Sequence, residues 1–178
     1  MRGFKVMARA ELQLPLPFER IMQQYEREIM RYLLHVSGDR EEAADLFQET
    51  WLRAYRAYPR LEPASDVRPW LYAICVNLSR NRARDGARRA RVIVADDEEN
   101  PAAERIGRVR RSLDENDGYA TVHMRELIAA LPAKQREGLQ LRYFAGLDYA
   151  AIAAAMGCSE QSARANVSQG MKKLKLMW

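Results

Sequence analysis

Apolar side chains return every three or four residues along most of this chain, and they predict helices and no strands. Phe18, Ile21, Met22, Tyr25, Ile29, Tyr32, Leu33 and Val36 form one such face. Pro17 suits the first turn of that helix, and Ser37-Gly38-Asp39 ends it and caps the next. A second helix, about Glu41 to Tyr58, buries Ala43, Phe47, Thr50, Trp51, Ala54 and Tyr58 before Pro59 stops it. Ser65 and Asp66 are capping residues for a third, from near Pro69 to about Arg91, with Trp70, Leu71, Ile74, Asn77, Leu78 and Asn81 along one side. Periodicity then fades from Val92 to about Ala120, a stretch holding Asp96-Asp97-Glu98-Glu99 and Asp114-Glu115-Asn116-Asp117, and a flexible acidic linker is expected there. Apolar order returns at Val122, Leu127, Ile128 and Leu131. Helices are then predicted from Pro132 to Phe144-Ala145, from Tyr149 to Met156 and, after a Gly157-Cys158-Ser159 turn, to about Leu176. The fold class read from this pattern is all-α, two small helical domains joined by a polar tether.

Composition narrows the class. Of 178 residues, 48% are hydrophobic and 30% charged, the balance of an ordinary globular protein. No apolar run approaches the ~20 residues that span a bilayer, so no membrane insertion is expected. Arg9 and Glu11 interrupt the N-terminus, so a signal peptide is not expected and the protein reads as cytoplasmic. Cys75 and Cys158 lie far apart and read as reduced, buried thiols. His35 and His123 have no ligand-type neighbours at metal spacing, and neither a metal nor a cofactor is expected. The net charge of +5 suits a polyanion partner, but its placement says more than its sign.

Two segments concentrate candidate chemistry. Near the C-terminus, Ile152 and Met156 give a short helix an apolar face, Ala153 allows close approach, and Gly157 permits a left-handed turn. Cys158, Ala163, Val167 and Leu174 continue the buried side. Gln161, Ser162, Arg164, Ala165, Asn166, Ser168 and Gln169 are left for the exposed side of the last helix, where a helix-turn-helix protein reads the major groove. Arg164 suits guanine and Asn166 or Gln169 adenine; Lys172, Lys173 and Lys175 suit phosphates. In the third helix, seven arginines from Arg68 to Arg91 face a single acid, Asp85, beside Asn77 and Asn81. Arginines for backbone and amides for unpaired base edges are what single-stranded DNA recognition uses. On these residues alone, a dimeric helix-turn-helix regulator explains the C-terminal part as well. It gives the second and third helices no task.

The stretch Ala44-Asp45-Leu46-Phe47-Gln48-Glu49-Thr50-Trp51-Leu52-Arg53-Ala54-Tyr55 closely resembles region 2.2 of extracytoplasmic-function sigma factors of the sigma-70 family. Val67-Arg68-Pro69-Trp70-Leu71-Tyr72-Ala73-Ile74-Cys75-Val76-Asn77-Leu78 resembles regions 2.3 and 2.4, and Leu131-Pro132 through Ala153 and the Gly157 turn resembles region 4. The likeness runs in order from about residue 16 to 175. It implies an N-terminal extension (1–15), a region 2 helical bundle (16–91), a linker (92–120) and a region 4 helix-turn-helix domain (121–178). It further implies that Asp45, Gln48, Glu49, Leu52, Arg53 and Arg56 grip the clamp helices of the largest subunit of core RNA polymerase. Ser65, Asp66, Val67, Arg68, Asn77, Arg80, Asn81 and Arg84 would read the melted −10 element, with the loop Leu61–Arg68 above Asn77 capturing a flipped base. Region 4 would bind the duplex −35 element and the flap of the second-largest subunit. A cognate anti-sigma factor would be a further partner. No catalytic residue is implied, and no nucleophile–base pair or phosphate loop is visible; the polymerase supplies the chemistry.

Overall fold

The structure, a computed structural model, describes residues 17–62, 64–93 and 119–178. The predicted N-terminal extension and nearly all of the acidic linker lie outside the described residues. Those described form helices and turns with no strand: α1 (Phe18–Ser37), α2 (Arg40–Ala57), a 3-10 turn (Tyr58–Arg60), α3 (Val67–Ile93), α4 (Tyr119–Ala130), α5 (Ala133–Tyr143), α6 (Tyr149–Met156) and α7 (Glu160–Met177).

Local chemistry sets these bounds. Gly38 takes φ 69° and donates its N–H to Leu34 O at 3.0 Å, closing α1. Asp39 then caps α2 by accepting from Glu42 N–H at 2.8 Å. Pro17 is the residue before α1, not part of its first turn. The second helix stops at Ala57, and Pro59 sits inside the tighter 3-10 turn that follows, where its missing N–H has no helical partner to lose. Asp66 accepts from Arg68 N–H at 3.1 Å, so α3 starts two residues earlier than its Pro69 suggests.

Helices α1, α2 and α3 pack pairwise into a bundle around Ile29, Leu33, Ala43, Ala54, Leu71, Tyr72 and Cys75, all fully buried. Tyr32 and Tyr72 meet edge to face at 4.9 Å inside it. The buried side of α3 is therefore Leu71, Tyr72, Cys75, Val76 and Leu78. Asn77 and Asn81, expected on the side of Leu71 and Leu78, are exposed instead. The second unit is built on α7, which packs against α4, α5 and α6 around Leu141, Ile152, Ala163 and Val167. The two units also touch: α3 packs along α6, and α1 meets α5.

Candidate nucleic-acid and partner interface

On α2, positions 45, 48, 49, 52, 53 and 56 are spaced three and four apart, opposite the buried Ala43, Leu46, Thr50 and Ala54. Asp45, Gln48, Leu52, Arg53 and Arg56 are exposed and Glu49 is half-exposed. Arg53 Nε donates to Glu49 at 2.6 Å, and Asp45 lies 3.5 Å from Arg82 of α3. Such exposed pairs add little stability. They leave a mixed-charge stripe with Leu52 at its centre, open to a partner. Tyr55 beside it is 61% exposed although its ring edge contacts Phe18.

The residues read as −10 contacts divide in two. Asn77, Asn81 and Arg84 are exposed on α3, with Arg84 Nη2 donating to Asn81 Oδ1 at 3.0 Å. Asn77 and Arg68 are nine residues apart on one helix, about 13 Å of rise and half a turn of rotation. Their side chains leave opposite sides, so Arg68, where the Leu61–Arg68 loop enters the helix, does not stand over Asn77. Ser65 and Val67 are half-buried, Asp66 exposed. Arg68 and Arg80 are the second group, and both are engaged. Arg68 Nε donates to Glu28 of α1 at 2.7 Å, Tyr72 donates its hydroxyl to the same carboxylate oxygen at 2.7 Å, and Arg68 Nη2 donates to the carbonyl of Ala145 between α5 and α6. Burial, the Glu28 hydrogen bond and its charge raise the Tyr72 pKa strongly. Arg80 forks onto Glu137 of α5, Nε to Oε1 at 2.9 Å and Nη2 to Oε2 at 2.6 Å, with Met156 O at 3.5 Å. The Glu137 hydrogen bond is the main cause of a raised Arg80 pKa. Arg80 and Arg68 thus tie the two units together.

In the C-terminal unit, Gly157 takes φ 64° between α6 and α7, and Ser159 caps α7 by accepting from Ser162 N–H at 3.2 Å. Gln161, Ser162, Arg164, Ala165, Ser168, Gln169, Lys172 and Lys173 are exposed on α7, and Asn166 is half-buried. The helix thus presents one polar, basic side opposite Ala163, Val167, Gly170 and Leu174. Two glycines that pattern reading did not single out make this packing possible. A Cβ on Gly170 would lie 2.9 Å from Leu139 Cδ1 and 3.2 Å from Gln135 O, and one on Gly138 would lie 3.2 Å from Val167 Cγ2. Also unread were Glu28 and Glu137, whose partners are 40 and 57 residues away in sequence. An apolar groove of about 310 Å³ runs between α4, α5 and the end of α7, lined by Met124, Ile128, Leu139, Tyr143, Met171 and Trp178 among others.

Two family models match the chain: Sigma-70 region 2 over residues 21–89 and Sigma-70 region 4 over residues 123–174. The RNA polymerase sigma-H factor of Pseudomonas aeruginosa is 31% identical over 84% of the chain and 80% of its own length. The ECF RNA polymerase sigma factor SigC of Mycobacterium tuberculosis is 33% identical over 84% and 76%. The chain is a sigma-70 family RNA polymerase sigma factor of the extracytoplasmic-function type. The ECF sigma factor SigM of Bacillus subtilis, 28% identical, aligns over 92% of this sigma factor and 96% of its own length. The same fold is seen in the sigma factor RpoE of Bartonella quintana, solved in complex with the anti-sigma factor NepR, with a TM-score of 0.70 at 20% identity over 89% of this chain and 94% of that one. CnrH, solved with the cytosolic domain of CnrY, gives 0.64 at 18% identity over 90% and 86%. Among the described residues, this sigma factor has no helix long and apolar enough to cross a membrane and no cluster of three potential metal ligands.

Proposed function

We propose that this sigma factor carries core RNA polymerase to its promoters through four surfaces set along its helices. The stripe Asp45, Gln48, Glu49, Leu52, Arg53 and Arg56 binds the clamp helices of the largest subunit. Asn77, Arg80, Asn81 and Arg84 on one side of α3 take part of the melted −10 strand, and Ser65 to Arg68 at its start take another part. The exposed side of α7, from Gln161 to Lys173, takes the −35 duplex, with the flap of the second-largest subunit on the apolar groove beside it. Functional boundaries follow the same division: 1–15 extension, 16–91 region 2, 92–120 linker, 121–178 region 4. The factor works in the cytoplasm and catalyses nothing itself. Capture of an unstacked base offsets its unstacking cost of a few kcal/mol, and the polymerase makes the bonds. RpoE of Bartonella quintana was solved with the anti-sigma factor NepR, and a cognate anti-sigma factor is proposed here too.

The observation that carries this reading is the open α2 stripe, a mixed-charge face opposite a fully packed one. A stand-alone operator-binding regulator has no use for it. The test is transcription with purified core polymerase on genomic fragments, with and without the triple substitution Asp45→Ala, Gln48→Ala, Glu49→Ala. Specific starts are expected only with the wild-type factor, and polymerase binding is expected to weaken while duplex binding by the chain persists. Equal loss of both activities, or no start with the wild type, overturns the assignment.

A further inference from the structure

Arg164 does not leave α7 as an unconstrained side chain. Its guanidinium carbon lies 4.4 Å from the centre of the Tyr149 ring. Glu160, one turn earlier on α7, accepts from Arg164 Nε at 3.2 Å and Nη2 at 2.6 Å through one carboxylate oxygen. The ring is itself held. Tyr149 is the first residue of α6, directly after the cap Asp148, which accepts from Ala151 N–H at 2.8 Å. The guanidinium carbon of Arg142 lies 4.9 Å from the same ring centre, and Arg142 Nη1 donates to Leu147 O at 2.8 Å. The platform is thus fixed from α5 and from the loop ahead of α6, and Arg164 reaches it from α7.

We infer that Tyr149 is a positioning residue for sequence reading, holding the Arg164 guanidinium ready to recognise one guanine of the upstream promoter element. This rests on the reading of α7 as the −35 helix. A freely rotating arginine loses rotamer freedom when it pairs with a base; one already stacked on a ring and paired to Glu160 has lost it on folding. Glu160 occupies the Nε side of the fork. The end-on edge, Nη1 with the remaining Nη2 hydrogen, stays outside that pair, and its two parallel donors match guanine O6 and N7. Tyr149 therefore acts on base choice through Arg164 and needs no contact with DNA of its own.

The test is selection of duplexes from a library randomised across the upstream element, using holoenzyme assembled from core polymerase and the full chain. Wild type is expected to enrich guanine at the position that Arg164→Ala flattens. Tyr149→Ala is expected to lower the guanine preference at that same position about two- to fivefold, the scale of an exposed cation–π contact. Preferences at the other positions should stay as in wild type. Tyr149→Phe keeps the ring and is expected to keep the preference. If Tyr149→Ala leaves that position unchanged, or weakens every position alike as a folding defect would, the inference fails while the −35 reading stands. If wild type enriches no sequence, both the −35 reading and the inference fall; if wild type enriches a sequence that Arg164→Ala leaves unflattened, the inference falls while the −35 reading stands.

Discussion

Glu137→Gln tests the contact between the two units most directly. The Arg80–Glu137 pair is bidentate, at 2.6 and 2.9 Å, and partly buried, with side chains 28% and 13% exposed. Glutamine keeps the shape but loses the charge, and it turns one acceptor into a donor facing a guanidinium. A hydrogen bond to a charged group contributes about 1.5–3 kcal/mol, so about 2 kcal/mol of docking free energy should be lost. That moves the balance between docked and separated units about thirty-fold. The predicted consequence is twofold. By small-angle scattering, a compact chain of this length has a radius of gyration of about 16 Å, and the variant should exceed the wild type. Freed from Glu137, Arg80 should also let the variant bind a pool of single-stranded DNA more tightly, by up to the same factor if docking masks the strand-binding side. The swap Arg80→Glu with Glu137→Arg remakes the pair with its charges exchanged. It should recover compactness without the gain in strand binding, because the cation has moved to α5. Unchanged size and affinity in Glu137→Gln, or a swap that stays expanded, would refute the reasoning.

Further outcomes are expected. Asn77→Ala, at an exposed position, should slow promoter opening in a fluorescence-monitored melting assay while closed-complex formation is kept; unaltered opening kinetics would remove Asn77 from the strand surface. Gly170→Ala should lower stability by about 1 kcal/mol, since overpacking against Leu139 and Gln135 O costs about 1–3 kcal/mol and the gain in helix propensity returns about 1. Gly86→Ala on α3, where a Cβ meets nothing within 4 Å, should raise the melting temperature, and calorimetry of the two variants must give opposite signs. Burial pushes the Cys75 thiol up to about 12, and Tyr32 and Tyr72 are raised as well. The folded state therefore holds these protons more tightly than the unfolded one. Stability should be level at neutral pH and fall as pH climbs from about 9 toward 12, read by urea unfolding at stepped pH; a flat profile would contradict it.

The helices were legible in the sequence because their stop signals are chemical. Gly38, Asp39, Asp148, Gly157 and Ser159 act on their own neighbours, and each ends or caps a helix where the pattern places it. Region 4's exposed polar side was equally legible, since period 3.6 separates Ala163 and Val167 from Arg164 and Gln169 without reference to any other element. Which way α3 turns was not. Its apolar residues are spread widely enough to permit several faces, and only packing on α1, α2 and α6 selects Tyr72 and Cys75 and expels Asn77.

The arginines of α3 show why local pattern has a limit for this kind of protein. A surface built to hold phosphates is equally suited to carboxylates, and the sequence cannot distinguish a cation waiting for DNA from one already paired. Arg80 and Glu137 are separated by 57 residues, with the rest of α3, the whole of α4 and the start of α5 between them. Nothing in the spacing announces the pair. Strand binding by Arg80 must therefore displace Glu137 and the Met156 carbonyl before it gains a phosphate, so its net contribution is the difference of two charge-assisted contacts. The exposed Arg84 carries no such debt beyond its bond to Asn81. Raising salt weakens both phosphate contact and ion pair, so the Arg80 share of strand binding should depend less on salt than the Arg84 share. That ordering distinguishes a docked chain from two units that never meet.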